Sequence, residues 1–136
     1  PTTELAIIEP PPTPTQAPLG VRVTFAEVHE CNGEPAAIFR IVNESEADLE
    51  SISLQIEDWT EETEILERST ANAPFMGDSE ECPPGGDRLG AGRTGYVGGS
   101  IAGAEQGNTA RATLSLCTGN NLEGECVRRT IEFTIP

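Results

Sequence analysis

This 136-residue chain contains four cysteines, Cys31, Cys82, Cys117 and Cys126. They are its best candidates for residues with a chemical role. Four thiols can form two disulfides in three pairings. No two of them stand in a C-x-x-C motif, and the single histidine, His29, does not complete a Cys/His zinc set at the usual spacing. The pattern favours two disulfides over a metal centre, and disulfides are typical of oxidising, extracellular compartments.

The alternation of apolar residues favours one pairing of these cysteines. Around Leu114 the apolar residues occupy even positions, which places Cys117 on the outer face of its strand. Around Phe133 they occupy odd positions, which places Cys126 on the outer face as well. If the two strands are neighbours, a Cys117–Cys126 bridge follows and leaves Cys31–Cys82 as the second, although the other pairings stay open.

The sequence carries no catalytic signature. A Cys–His dyad around His29 would need Cys31 as a free thiol, which the disulfide prediction removes, so we interpret His29 as a satisfied or exposed loop residue. No G-x-S-x-G motif occurs, and Gly98-Gly99-Ser100 is interpreted as a flexible strand end. We therefore expect a protein that is not an enzyme, with no catalytic residue, no metal and no cofactor.

Two acidic runs could bind calcium through carboxylate oxygens. Their members are Glu61, Glu62 and Glu64 in the first run, and Asp78, Glu80 and Glu81 in the second. Neither run has the spacing of an EF-hand loop, so solvated acidic loops are the preferred interpretation.

Surface recognition is another candidate role. Trp59 has the sequence parity of Ser53 and Gln55, which predicts an outer-face position. An exposed tryptophan can stack on a glycan, and more often it packs under a loop; both interpretations stay open. Asn43 begins an Asn-Glu-Ser sequon and is a candidate N-glycosylation site, while threonines at positions 3, 13 and 15 could carry O-glycans.

The charge of the chain excludes two classes of partner. It has 23 acidic residues, eight arginines and no lysine, which gives a formal net charge of −15. Nucleic acids and anionic membrane surfaces both attract basic proteins, so neither is an expected partner. No run of 18 apolar residues occurs, which argues against membrane insertion. The start at Pro1, without methionine or a signal-like stretch, suggests a processed product.

Short strands are the elements expected to position these residues. Alternating or continuous apolar patterns occupy residues 21–25, 36–42, 52–56, 94–101, 112–116 and 131–135. Period-2 alternation with one polar face is typical of half-buried antiparallel strands. Residues 61–69 fit either a short helix or an edge strand. The pattern predicts an all-β fold, an antiparallel β-sandwich of about seven strands over residues 20–136.

The first 19 residues form a separate N-terminal region. Six prolines fall within it, and residues 10–18 are expected to form a polyproline II linker of roughly 28 Å. A short strand is predicted before the linker, with the members Glu4, Leu5, Ala6, Ile7, Ile8 and Glu9. This strand could fold back on its own domain, but a semi-rigid linker favours its delivery to a neighbouring molecule.

Residues 20–136 resemble the immunoglobulin-like and fibronectin-type sandwiches of secreted prokaryotic surface proteins. The resemblance rests on the strand rhythm, the Pro/Thr-rich stalk and the sequence Leu-Gly-Ala-Gly-Arg-Thr-Gly-Tyr-Val at residues 89–97. The order of N-terminal strand, linker and sandwich is similar to that of pilus and surface-filament subunits that work by donor-strand complementation. The resemblance implies an extracellular or cell-surface location.

Two functions are expected from this arrangement. In the first, residues 4–9 add to the sheet edge of another copy, with Leu5 and Ile7 or Ala6 and Ile8 as anchors, and the repeated contact forms a filament that is a homo-polymer. In the second, the tail is only a spacer, and the chain is a non-catalytic module of a stalked surface protein. That module would bind a glycan or protein ligand through loops near Trp59 and residues 78–92.

Overall fold

A computed structural model describes residues 19–136 of the chain. The predicted donor strand at residues 4–9 and the predicted linker at residues 10–18 lie outside the described residues. The strands are β1 (Val21–Cys31), β2 (Glu34–Asn43), β3 (Ser51–Asp58), β4 (Thr63–Asn72), β5 (Thr94–Ser100), β6 (Thr109–Cys117) and β7 (Cys126–Thr134), with a short 3₁₀ turn at Asn120–Leu122. The predicted all-β antiparallel sandwich of seven strands is confirmed.

The strands form two antiparallel sheets, one with the order β1-β2-β5 and one with the order β4-β3-β6-β7. The ambiguous residues 61–69 fall mainly in β4, where they form an edge strand rather than a helix. The sequence did not distinguish a helix from a strand here because most side chains of β4 are exposed. An edge strand that packs lightly on the core shows little alternation of apolar and polar residues. The described residues contain no helix long and apolar enough to cross a membrane.

The core lies between the sheets and is made of the inward-facing residues of both. Phe39, Ile41, Ile56 and Leu114 are fully buried. The apolar run in β2 is unbroken because both faces of this strand are covered. One face packs in the core between the sheets, and the loop at residues 73–92 covers the outer face of the three-stranded sheet. There it encloses a second cluster made of Cys31, Ala36, Ile38 and Met76.

The β1 and β7 edges close one side of the sandwich. The Arg129 guanidinium of β7 donates to the carbonyl oxygen of Val21 at 2.9 Å and to that of Leu19 at 3.4 Å. Phe25 of β1 stacks on Phe133 of β7 with ring centroids 4.4 Å apart. Leu19, the first described residue, packs in the core with the strands that follow it.

Candidate functional site

Both predicted disulfides are present, Cys31–Cys82 and Cys117–Cys126, with Cα atoms 5.5 and 4.1 Å apart. The second joins directly opposed residues of β6 and β7, as the parity argument required. Cys117 is nevertheless fully buried, because the 3₁₀ turn folds over that end of the sheet. Ser51 fastens the turn, since its hydroxyl donates to the carbonyl of Gly119 at 2.6 Å.

His29 lies in β1 rather than in a loop, and its role is structural. Its Nε2 lies 3.1 Å from the carbonyl oxygen of Glu81, while Nδ1 lies 3.5 Å from a carboxylate oxygen of Glu27. The ligand atoms of His29, Cys31 and Cys82 come within 4.8 Å of one another, the spacing of a metal site. Both sulfurs belong to the disulfide, however, so the group holds the 73–92 loop against β1 and offers no thiolate to a metal.

Among the described residues, the side chains that lie close enough together to hold a metal ion include no member of either acidic run. Within the second run, Asp78 accepts a hydrogen bond from the Glu80 amide at 2.7 Å, and Glu81 accepts one from the Gly77 amide at 3.0 Å. These carboxylates therefore stabilise their own turn. In the first run, Glu62 has a positive φ of 56° in the turn between β3 and β4.

A different acidic cluster, which the sequence analysis did not assemble, surrounds Asn108. Its side-chain amide donates to Asp58 at 2.9 Å, to Glu61 at 3.1 Å and to Glu105 at 3.4 Å. The Asn108 amide holds the pKa of Asp58 below its ordinary value, with help from the backbone amide of Glu61. Glu105 has the opposite shift, because its interaction with Glu61 raises its pKa.

Glu105→Gln is expected to raise the melting temperature slightly at pH 7, because it removes a carboxyl whose pKa is raised by its interaction with Glu61. A carboxyl whose pKa is raised on folding opposes folding once the pH exceeds that raised value, and it has no such effect below the ordinary value of 4.5. The gain should therefore vanish near pH 3.5. Calorimetry at both pH values tests this, with the exposed Glu67→Gln as control; an equal gain at both pH values would contradict the assignment.

Trp59 is exposed, as its parity predicted, with 48% of its surface accessible. The guanidinium of Arg111 covers one face of its ring, 3.4 Å from the ring centroid. Beside it lies a hollow of about 510 Å³ lined by Glu57, Asp58, Trp59 and Glu62. An exposed aromatic ring beside polar residues can stack on a ligand. Three of the four residues that line this hollow are acidic, so it would disfavour an anionic ligand.

The buried position of Asn43 contradicts its interpretation as a candidate glycosylation site. Asn43 is fully buried, and its amide nitrogen donates to the carbonyl oxygens of Ala47, Leu89 and Gly90 at 2.8, 3.2 and 3.2 Å. Its side-chain oxygen accepts from the Ser45 hydroxyl at 2.6 Å. A glycan on this nitrogen would break the bonds that join the end of β2 to the loop before β5.

The side of the sandwich opposite the β1–β7 contact has a cleft of about 240 Å³ between the β4 and β5 edges. We call it the β4–β5 cleft. Its lining consists of Ile52, Leu54, Ser69, Ala71, Pro74, Pro83, Pro84, Val97, Gly98, Gly99 and Ser100. Every one of these residues is uncharged, which is unusual in a protein of net charge −15. Core residues Ile52, Leu54 and Val97 form part of that lining, so the cleft reaches the interior.

The outer edge of β5 carries backbone groups that bond to no backbone group among the described residues. Tyr96 directs its amide and carbonyl away from β2, because both bond to Met76 at 2.9 and 2.8 Å. In an antiparallel pair alternate residues point the same way, so Gly98 and Ser100 also direct their amides and carbonyls outward. Within residues 19–136 no backbone hydrogen bond reaches these four groups.

Two glycines shape the cleft. A Cβ atom on Gly99 would lie 2.5 Å from a methyl carbon of Leu66, and one on Gly98 would lie 2.5 Å from the carbonyl oxygen of Ala37. Gly98, Gly99 and Ser100 form the end of β5, as predicted from the sequence. Paired glycines inside a strand are a signal of close approach, and that signal could have identified the site.

Comparison with known proteins adds little to this geometry. No protein-family model matches the chain, and no curated protein matches it. Among solved structures it is similar to the X-ray structure of the Northeast Structural Genomics Consortium target SoR45, at 15% identity and a TM-score of 0.41. The match covers 86% of this chain and 83% of that chain.

Proposed function

We propose that this protein is a non-catalytic structural subunit of an extracellular filament, in which residues 4–9 of one copy add to an open sheet edge of the next. The observation that carries the proposal is the difference between the two sides of the sandwich. Arg129 and the Phe25–Phe133 stack close the β1–β7 side, whereas the β4–β5 side has an uncharged cleft and an unpaired edge. An unpaired edge is a template for another strand.

The exit of the tail supports delivery to another copy. Val21 lies opposite Asn43 and Val42 lies opposite Thr94, so the tail joins β1 at the end of the sheet where β5 begins. Ser100, at the cleft, lies at the other end of β5. To reach its own cleft, the tail would have to reverse direction and wrap around the domain, which the stiffness expected from its proline-rich sequence opposes.

Disulfides and charge agree with this role. Two disulfides support an oxidising, extracellular setting. A net charge of −15 on every copy opposes association, so the contact has to depend on apolar burial and backbone pairing. Added salt should therefore strengthen assembly by screening the repulsion.

A ligand-binding module on a stalk is the second candidate, and the exposed Trp59 beside its hollow is the observation that favours it. In that case the tail is only a spacer, and the isolated protein stays monomeric. The two candidates therefore differ in what the tail does, which one deletion can decide.

Deletion of residues 1–9 is expected to convert concentration-dependent assemblies into monomers, because the donated strand is lost while the described domain stays whole. Light scattering and negative-stain electron microscopy measure assembly, and circular dichroism should give an unchanged spectrum and melting temperature. Deletion of residues 1–3 is the matched control and should assemble normally. Filaments formed by the longer deletion would contradict the proposal. A full chain that stays monomeric in high salt would contradict it and favour the binding module.

A further inference from the structure

We infer that the β4–β5 cleft is the acceptor of the donated strand, and that the occupant is the segment Leu5, Ala6, Ile7 and Ile8 of a second copy. This inference rests on the proposed function and specifies its site. Nothing in the described residues occupies the cleft, whereas the chain outside them includes one short apolar segment bounded by acids.

The backbone of β5 determines where pairing occurs. Gly98 and Ser100 present two amides and two carbonyls to the cleft, and Met76 occupies the same edge at Tyr96. Met76 therefore limits the free edge at one end, and the end of β5 at Ser100 limits it at the other. A strand of about four residues is enough to pair over this length, which matches residues 5–8.

The lining of the cleft determines which side chains enter. Successive side chains of a strand point to opposite faces, so either Leu5 and Ile7 or Ala6 and Ile8 face the interior. Leu5 and Ile7 remove more apolar surface from water than Ala6 and Ile8. We therefore assign Leu5 and Ile7 to the floor that includes Ile52, Leu54 and Val97.

Charge sets the register of the occupant. All eleven residues of the lining are uncharged, and a buried carboxylate without a partner is costly. Glu4 and Glu9 must then stay outside, one at each end, with the four apolar residues between them. A shift of two residues in either direction would draw one of these carboxylates into the cleft.

The wall of the cleft is held by a disulfide. Pro83 and Pro84 line the cleft, and they directly follow Cys82, which is bonded to Cys31 at the end of β1. Prolines have no amide hydrogen, so this wall offers no donor that would compete for the carbonyls of the entering strand.

The test uses the full chain with Ile7 replaced by the photo-crosslinking residue p-benzoylphenylalanine. Equal amounts of isotope-labelled and unlabelled chain are mixed under dissociating conditions, assembled and irradiated, and mass spectrometry maps the products. We expect crosslinks between labelled and unlabelled chains within the cleft lining, at Ile52, Leu54, Ser69, Ala71 or residues 97–100. Crosslinks only within one chain mean self-docking, and crosslinks to β7 mean another acceptor; either result overturns the inference.

A matched pair of proline variants tests the β5 edge. Ser100→Pro removes an outward amide in the cleft and is expected to reduce assembly at least tenfold. Thr94→Pro removes an amide of the same parity at the start of β5, outside the cleft, and should leave assembly unchanged. Ser69→Glu, which adds a charge at an exposed position of the lining, provides a second blocking variant if Ser100→Pro does not fold.

These variants separate the inference from the proposed function. If deletion of residues 1–9 abolishes assembly while Ser100→Pro and Ser69→Glu assemble normally, the filament stands and the cleft assignment is wrong. If the full chain does not assemble, a labelled synthetic peptide of residues 3–10 is titrated into the chain that lacks residues 1–9. Binding that Ser100→Pro weakens at least tenfold supports the cleft, and no binding overturns it.

Discussion

Replacing Cys31 and Cys82 together by alanine is expected to lower the free energy of unfolding by about 4 kcal/mol, and replacing Cys117 and Cys126 together by about 3 kcal/mol. The two bridges span 51 and 9 residues of sequence separation. In the chain-entropy model the longer bridge removes more freedom from the unfolded chain. Each bridge joins one buried and one exposed cysteine, so the packing lost on substitution is similar in the two pairs.

Calorimetry of the two double variants measures the difference. At about 4 °C per kcal/mol for a domain of this size, the melting temperature should fall by about 16 °C without Cys31–Cys82 and by about 12 °C without Cys117–Cys126. An equal loss in both, or the reverse order, would mean that strain or residual structure outweighs loop closure.

On the proposed filament function, assembly should separate the two variants more sharply than stability does. Cys31–Cys82 holds the loop that carries Pro83 and Pro84, so its loss should release one wall of the β4–β5 cleft. Cys117–Cys126 lies in the β6–β7 register and contributes nothing to that lining. Measured below both melting temperatures, the first variant should assemble poorly and the second normally.

Local alternation made part of this fold predictable. The opposite parities at Leu114 and Phe133 placed Cys117 and Cys126 on one face, because directly paired residues of neighbouring strands point to the same face of the sheet. The same rule placed Trp59 outside. These predictions succeeded because they depend only on residues that are close in sequence or joined by a short connection.

Features that depend on distant segments were missed. Asn43 satisfies a three-residue sequon, but its burial depends on Leu89 and Gly90, more than 40 residues away. The β4–β5 cleft requires three strands from two different sheets and the loop at residues 73–92. The sequence of β5 does not indicate which strand lies opposite it in the other sheet. Its glycines were therefore interpreted as a sign of a flexible strand end.

Phe39→Ala is expected to cost about 3–5 kcal/mol of stability, because it removes a fully buried ring from the core. Phe39 lies edge-on to both rings of the Phe25–Phe133 stack, with centroids 6.0 and 5.7 Å away. It therefore supports the contact that joins β1 to β7. Removing the Phe39 ring should lower the global free energy of unfolding and should also make local opening of the β1–β7 side more frequent.

Hydrogen exchange separates this local effect from general destabilisation. Phe75→Ala, another buried phenylalanine, removes a ring outside the Phe25–Phe39–Phe133 group and is the matched control. Phe39→Ala should speed exchange in β1 and β7 more than Phe75→Ala does, and it should expose a second sheet edge that strands can join. On the proposed function, filaments of that variant are expected to branch, because linear growth would require that only the β4–β5 side accepts a strand. Equal exchange in the two variants would mean that the Arg129 hydrogen bonds, rather than the three phenylalanines, keep the β1–β7 side closed.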